Sequence, residues 1–209
     1  EKTDGEVVAI SMGPQRAEET VRKALQMGVG SGIHVVDDSL AGSDALSTSL
    51  ALSAVLKDRG FDLVIFGSES TDARMSVVPM MVAEALGATA LTFANKVDVD
   101  GSTVKIQRQT EYGYDEVEGP SPAVISVVEK INEPRFPSFK GIMAAKKKPI
   151  ESLTVADAGL SADQVGQGAA RSAVVEFADR PPKSAGVKVE DAGDGGVKIV
   201  EFLAEQKLV

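Results

Sequence analysis

Short apolar runs that do not alternate with polar residues constrain the fold of this chain more than any other feature. Glu6-Val7-Val8-Ala9-Ile10-Ser11, Ile33-His34-Val35-Val36 and Phe61-Asp62-Leu63-Val64-Ile65-Phe66-Gly67 have strand length and strand composition. A strand with one wet face alternates, whereas successive apolar positions are buried on both faces, as in a parallel sheet covered by helices. Helix-type segments fill the intervals. Gly13-Pro14 opens the first, in which Glu18 and Glu19 precede Arg22 and Lys23 by four residues and support an exposed helical face, and the glycines of 28–32 close it. A second helix over 43–59 is expected to turn Leu46, Leu50 and Val55 or Leu56 inward before Gly60 stops it, and a third starts close to Ser76 and ends at Gly87. Buried strands alternating with amphipathic helices predict an α/β fold with a doubly wound, mostly parallel, Rossmann-like sheet.

After Gly87 the period changes. Val97 and Val99, then Val104 and Ile106, alternate with polar residues around Asp100-Gly101, a strong hairpin signal, and 110–118 continues as polar strand or turn. Pro120-Ser121-Pro122 precedes a last apolar strand, Ala123-Val124-Ile125-Ser126-Val127-Val128, so antiparallel additions finish the sheet. Periodicity disappears over 129–149, and 151–196 is rich in Ala, Gly, Asp and Ser with only short apolar groups. Two domains are therefore expected: an α/β domain over 1–150 and an extended C-terminal arm over 151–209. The arm ends in a helix over 197–208 with Val197, Val200, Leu203 and Ala204 on one face, too short to be stable unless docked.

Composition removes most catalytic chemistries. The 209 residues contain no Cys and one His, which excludes disulfides, iron–sulfur clusters, thiolate metal sites and most His-based triads. A net charge of −9 argues against a general binder of nucleic acid or anionic membrane. No apolar run approaches the roughly 18 residues of a membrane span, and no secretory signal opens the chain, so a soluble intracellular protein is expected. Glu1 stands where a Met would open a complete chain, and natural sequence is expected to precede it.

Two segments carry candidate binding residues. Gly67, Ser68, Glu69, Ser70, Thr71, Asp72, Ala73, Arg74, Met75 and Ser76 follow a buried strand and precede a helix, the position at which open α/β sheets bind ligands beyond the carboxyl ends of their strands. Pro79 is tolerated only in a first helical turn, so the N–H groups of Ser76, Val77 and Val78 are expected to be unpaired and suited to an anion such as phosphate. Gly67 permits close approach of backbone, Asp72 could accept from a ribose or adenine group, and Arg74 could face phosphate. The alternative is a hydroxyl-rich helix cap that holds only water. Neither GxGxxG nor GxxxxGK[ST] is present.

In the second segment, Asn132, Glu133, Pro134, Arg135, Phe136, Phe139, Ile142 and Met143 run into Lys146, Lys147 and Lys148. Prolines stiffen it, the apolar residues are potential anchors, and the lysines stand out in an acidic chain. The alternative is a loop that packs its aromatics on its own domain and leaves a solvated basic tail. His34 reads as a structural strand residue, Met80 and Met81 as core, and Glu111, Asp115, Glu116 and Glu118 as a solvated or partner-facing acidic edge.

The chain resembles the beta subunits of electron transfer flavoproteins, the smaller halves of heterodimers that carry electrons in one FAD. The stretch Val128-Glu129-Lys130-Ile131-Asn132-Glu133-Pro134-Arg135-Phe136 through Lys146-Lys147-Lys148 is similar to the family's recognition loop. Ser11-Met12-Gly13-Pro14, Ala24-Leu25-Gln26-Met27-Gly28 and the 67–76 loop fall in family order, and Pro181-Pro182-Lys183-Ser184-Ala185-Gly186-Val187-Lys188 resembles its C-terminal arm. The resemblance implies an adenine nucleotide alpha hydrolase-like domain. It implies a structural, redox-inactive AMP held by Met12 together with Gly67, Ser68, Glu69, Ser70, Thr71, Asp72, Ala73, Arg74, Met75, Ser76, Val77 and Val78. Ala73 to Val78 depart from the family's usual Asn-Gln-Thr run, so there the resemblance transfers backbone donors and not side chains.

FAD is implied to lie mainly in the alpha subunit, partly covered by beta-subunit sequence preceding Glu1, and the arm to pack on that alpha subunit. No catalytic residue and no metal ligand is implied. Acyl-CoA dehydrogenases of fatty acid beta-oxidation and other flavoprotein dehydrogenases are the implied electron donors and a quinone oxidoreductase leading to the respiratory chain the acceptor, with Phe139 the anchor and the lysines nearby. The compartment implied is the cytoplasm of a bacterium, or the mitochondrial matrix of a eukaryote. Two alternatives stay open: a bifurcating relative with a second FAD in place of AMP, and a free-standing adenine-nucleotide sensor.

Overall fold

A computed structural model describes residues 5–182, 186 and 188–209. Residues 1–4, and Lys183, Ser184, Ala185 and Val187 of the arm motif, lie outside the described residues. Two strand arrays form the frame. In the first, β1 (Val8–Met12) pairs with β2 (Ser31–Val35), and β2 with β8 (Ile150–Leu153). The second has the order β3 (Leu63–Gly67), β7 (Ala123–Val127), β4 (Thr89–Asp100), β5 (Thr103–Thr110), β6 (Gly113–Pro120). Its β3, β7 and β4 are parallel, and β5 and β6 are the antiparallel additions that the alternation around Gly101 predicts.

Helices cover both faces of the first array. Helix α1 (Glu18–Gln26) buries Val21 and Leu25 over the face to which Gly32 belongs, and a Cβ at Gly32 would come within 2.2 Å of Val21 Cγ1. The alternate residues Ile33 and Val35 point the other way, into a cluster with Ala51 and Val55 of α2 (Ala45–Lys57). Helix α3 (Val78–Leu86) packs Val82 and Ala83 with Leu56 and Val124. The first array is thus wound on both faces, as the sequence predicts, whereas among the described residues the core cluster on the opposite face of the second contains strand residues alone.

Four expectations are corrected. Leu46 and Leu50 are 48% and 39% exposed, because α2 buries the row Ser47, Ala51, Val55 instead. Met80 is 47% exposed rather than core, since α3 turns Pro79, Val82 and Ala83 inward. Strand β3 is not buried on both faces. Among the described residues it pairs only with β7, and Ile65 is 63% exposed. The boundary at residue 150 also moves. Strand β8 belongs to the first array, and isolated valines, Val155 and Val165, plug into the core cluster, so the first compact unit extends to Ala173 and the second spans Val174–Val209.

The second unit contains helix α5 (Gly195–Glu205), close to the helix expected over 197–208, and no residue of that helix is buried. Val175, Phe177, Val197, Ile199, Val200 and Phe202 are all exposed.

Candidate functional site

The 67–78 loop begins where β3 ends. Gly67 is the last strand residue, and a Cβ placed there would meet nothing within 4 Å. The Ser68 hydroxyl donates to the Val127 carbonyl at 2.8 Å, fastening the loop to the neighbouring strand end. Asp72 accepts from the Ser70 hydroxyl and, at 2.7 Å, from the Ala73 N–H, which together hold its carboxyl below the usual carboxylate range. Arg74 and Ser76 adopt left-handed backbone, with φ of 50° and 58°, a conformation that L residues adopt at a cost. Strain of this kind concentrates where a loop shapes a site.

Helix α3 starts at Val78, two residues after the expected position, with Pro79 in its first turn and no side chain capping its N-terminus. The uncapped N-terminus carries the positive end of the helix dipole and unpaired N–H groups. Glu69, Thr71, Met75 and Val77 complete the loop; Glu69, Thr71 and Met75 are exposed and Val77 is half-buried. Met12 is the last residue of β1, as Gly67 is of β3. Among the described residues no hydrogen bond joins Met12 to the loop, but Ile10 of β1 packs into one cluster with Val64 and Phe66 of β3. His34 is fully buried, its Nε2 3.2 Å from the Gly13 carbonyl and its Nδ1 without a partner among the described residues, consistent with a structural strand residue.

The second segment is more ordered than its lack of periodicity predicts. A 3-10 turn, Glu129–Ile131, leads to helix α4 (Phe139–Ala145), whose N-cap Ser138 accepts from the Gly141 N–H at 3.0 Å. Phe139, Ile142 and Met143 stand at i, i+3 and i+4 and share one face of this helix. That face points outward: Phe139 is 80% exposed and Phe136 just before it 94%, while Ala145 is buried against α1. Self-packing aromatics are therefore excluded. Asn132, Glu133, Pro134, Lys140, Lys146 and Lys147 are exposed, but Arg135 and Lys148 reach back to the carboxyl end of α1, Arg135 to the Met27 carbonyl at 2.6 Å and Lys148 to that of Leu25 at 3.3 Å.

Sequence reasoning missed α4 and the part played by α1. The signal available was Ser138 after Pro137, a cap followed three residues later by a glycine that obscures helical propensity. Among the described residues no group of three or more His, Cys, Asp or Glu side chains could hold a metal, and no helix is long and apolar enough to cross a membrane.

The electron transfer flavoprotein domain family matches residues 1–158. The electron transfer flavoprotein subunit beta of Mycobacterium bovis is 47% identical over 207 residues, 99% of this chain and 78% of that protein. That of Mycobacterium leprae is 47% identical over 206 residues, covering 98% and 77%. That of Megasphaera elsdenii is 32% identical over 217 residues, covering 99% and 80%. An α/β unit and a match to these proteins over nearly its whole length place the chain in the electron transfer flavoprotein family, among its beta subunits.

Proposed function

We propose that the chain pairs with an electron transfer flavoprotein alpha subunit and accepts electrons from acyl-CoA dehydrogenases and other flavoprotein dehydrogenases, docking them through the outward face of α4. Electrons would pass through FAD to a quinone oxidoreductase and the respiratory chain, in the cytoplasmic compartment of a bacterium. The observation that carries this reading is the exposure of Phe136 and Phe139 on a capped helix and stiffened loop, where a partner gains an apolar anchor at little ordering cost. FAD supplies the redox chemistry, and this chain performs no bond chemistry.

The 67–78 loop fits a structural AMP. Open space at Gly67 and the uncapped N-terminus of α3 suit a phosphate, with the Val78 N–H as a donor and Asp72 as an acceptor toward ribose or adenine. The exposed apolar residues of Val174–Val209 support packing of that unit on the alpha subunit, since a short helix with no buried residue needs a partner.

The test is co-expression with the candidate larger subunit, followed by reduction of the purified complex by a substrate-reduced acyl-CoA dehydrogenase. A yellow heterodimer reduced in a saturable manner is expected. A chain that purifies alone with an adenine nucleotide and binds no larger subunit would instead be a free-standing sensor.

A further inference from the structure

The carboxyl end of α1 has carbonyls with no partner inside the helix, as every helix does. Here the docking segment meets that end, at Leu25, and the turn just beyond it, at Met27 and Val29. Lys148 Nζ donates to the carbonyls of Leu25 and Val29, at 3.3 and 2.5 Å, and Arg135 to that of Met27 at 2.6 Å. The contact is reciprocal: Arg22 of α1 donates to the carbonyls of Ala145 and Lys148, at 2.9 and 3.0 Å, at the carboxyl end of α4 and just beyond it. Glu18 holds the other branch of the Arg22 guanidinium at 3.1 Å. Between the two helices Gly141 leaves no room, and a Cβ there would lie 2.4 Å from the Gln26 carbonyl oxygen.

We propose that Lys148 is a positioning residue: with Arg22 it clasps α4 to the carboxyl end of α1, and so fixes the direction in which Phe139, Ile142 and Met143 face an incoming partner. The proposal rests on the docking reading above. It separates Lys148 from Lys146 and Lys147, which are exposed and free to act as steering charges. Cations at a helix carboxyl terminus are favoured by the dipole, and bonds from charged donors are stronger than neutral ones, so the clasp organises the docking face before any partner arrives. Preorganisation of that kind improves affinity without changing the electron-transfer step.

The test compares Lys148→Met, Lys147→Met and Gly141→Ala in the flavin-loaded heterodimer. Lys148→Met and Lys147→Met remove the same charge; Gly141→Ala removes none but forces α4 off α1. Hydrogen exchange of 139–145 is expected to quicken in Lys148→Met and Gly141→Ala and to stay unchanged in Lys147→Met. In stopped-flow reduction at high salt, where steering is screened, the half-saturating dehydrogenase concentration should rise roughly two- to tenfold for Lys148→Met and Gly141→Ala, with the limiting rate unchanged. Lys147→Met should match wild type there, and Lys148→Arg should recover most of the loss. If Lys148→Met exchanges at the wild-type rate and loses its defect at high salt, the clasp is wrong. Exchange is read without a partner, so a failure of docking through Phe139 leaves this result independent.

Discussion

The Asp44 carboxylate accepts the backbone N–H of Arg171 at 2.7 Å, across 127 positions of sequence. The same side chain caps α2 by accepting from the Ser47 N–H at 3.0 Å and also receives the Ser172 N–H at 3.1 Å, two residues before the second unit begins. These bonds, the Ser47 N–H foremost, lower its pKa from 3.8 to about 2, against the opposing effect of burial. A depressed folded-state pKa means that the stabilisation is complete above about pH 4 and is lost as pH falls toward about 2. Asp44→Ala should cost about 1 kcal/mol at neutral pH through the lost cap, and should flatten the acid limb of a denaturant-stability profile measured between those values. An unchanged acid limb would show that Asp44 does not tie 171–172 to α2.

Gly67 offers a clean test of the nucleotide site, because a Cβ there meets nothing within 4 Å. Gly67→Val should leave the fold intact and lower AMP retention by roughly tenfold or more, with heterodimer stability falling as the bound ligand is lost. Full AMP content would place the nucleotide elsewhere. Proline at Ser76 is a poorer probe, since its φ of 58° is closed to proline whatever binds.

Phe139→Ala should weaken dehydrogenase coupling by about 30-fold, equivalent to the roughly 2 kcal/mol of a buried aromatic anchor, while the flavin spectrum stays unchanged. Charge reversal at Lys146 and Lys147 should act on the association rate and its salt dependence. Stopped-flow flavin reduction across protein and salt concentrations separates the two. Unchanged kinetics for a folded Phe139→Ala protein would remove the anchor role.

The unit from Val174 onward should be cut by protease and exchange its amides first in the isolated chain, then become protected in the heterodimer. Equal protection of α5 and of β7 without the larger subunit would mean that α5 needs no partner.

Much of this architecture was legible in the sequence because burial on two faces writes itself as unbroken apolar runs, as at Ala123, Val124 and Ile125, and because Asp100-Gly101 marks its hairpin. What failed did so where the pattern is carried by small residues or single contacts. Hydrophobicity pointed to Leu46 and Leu50, whereas the buried row of α2 contains the small residues Ser47 and Ala51. Val155 and Val165 are isolated in a polar stretch, so only the folded chain reveals that they complete the core. The 67–78 loop was locatable from Gly67 and Pro79, but the left-handed backbone at Arg74 and Ser76 has no sequence signature, since neither is a glycine. The clasp of Lys148 on Leu25 joins segments 123 residues apart, beyond any local motif.

The most direct measurement is identification of the nucleotides released when the intact complex of this chain with its larger subunit is denatured. One FAD and one AMP per heterodimer is the expected result. Two FAD with no AMP, or FAD alone, would contradict a structural AMP in the 67–78 loop.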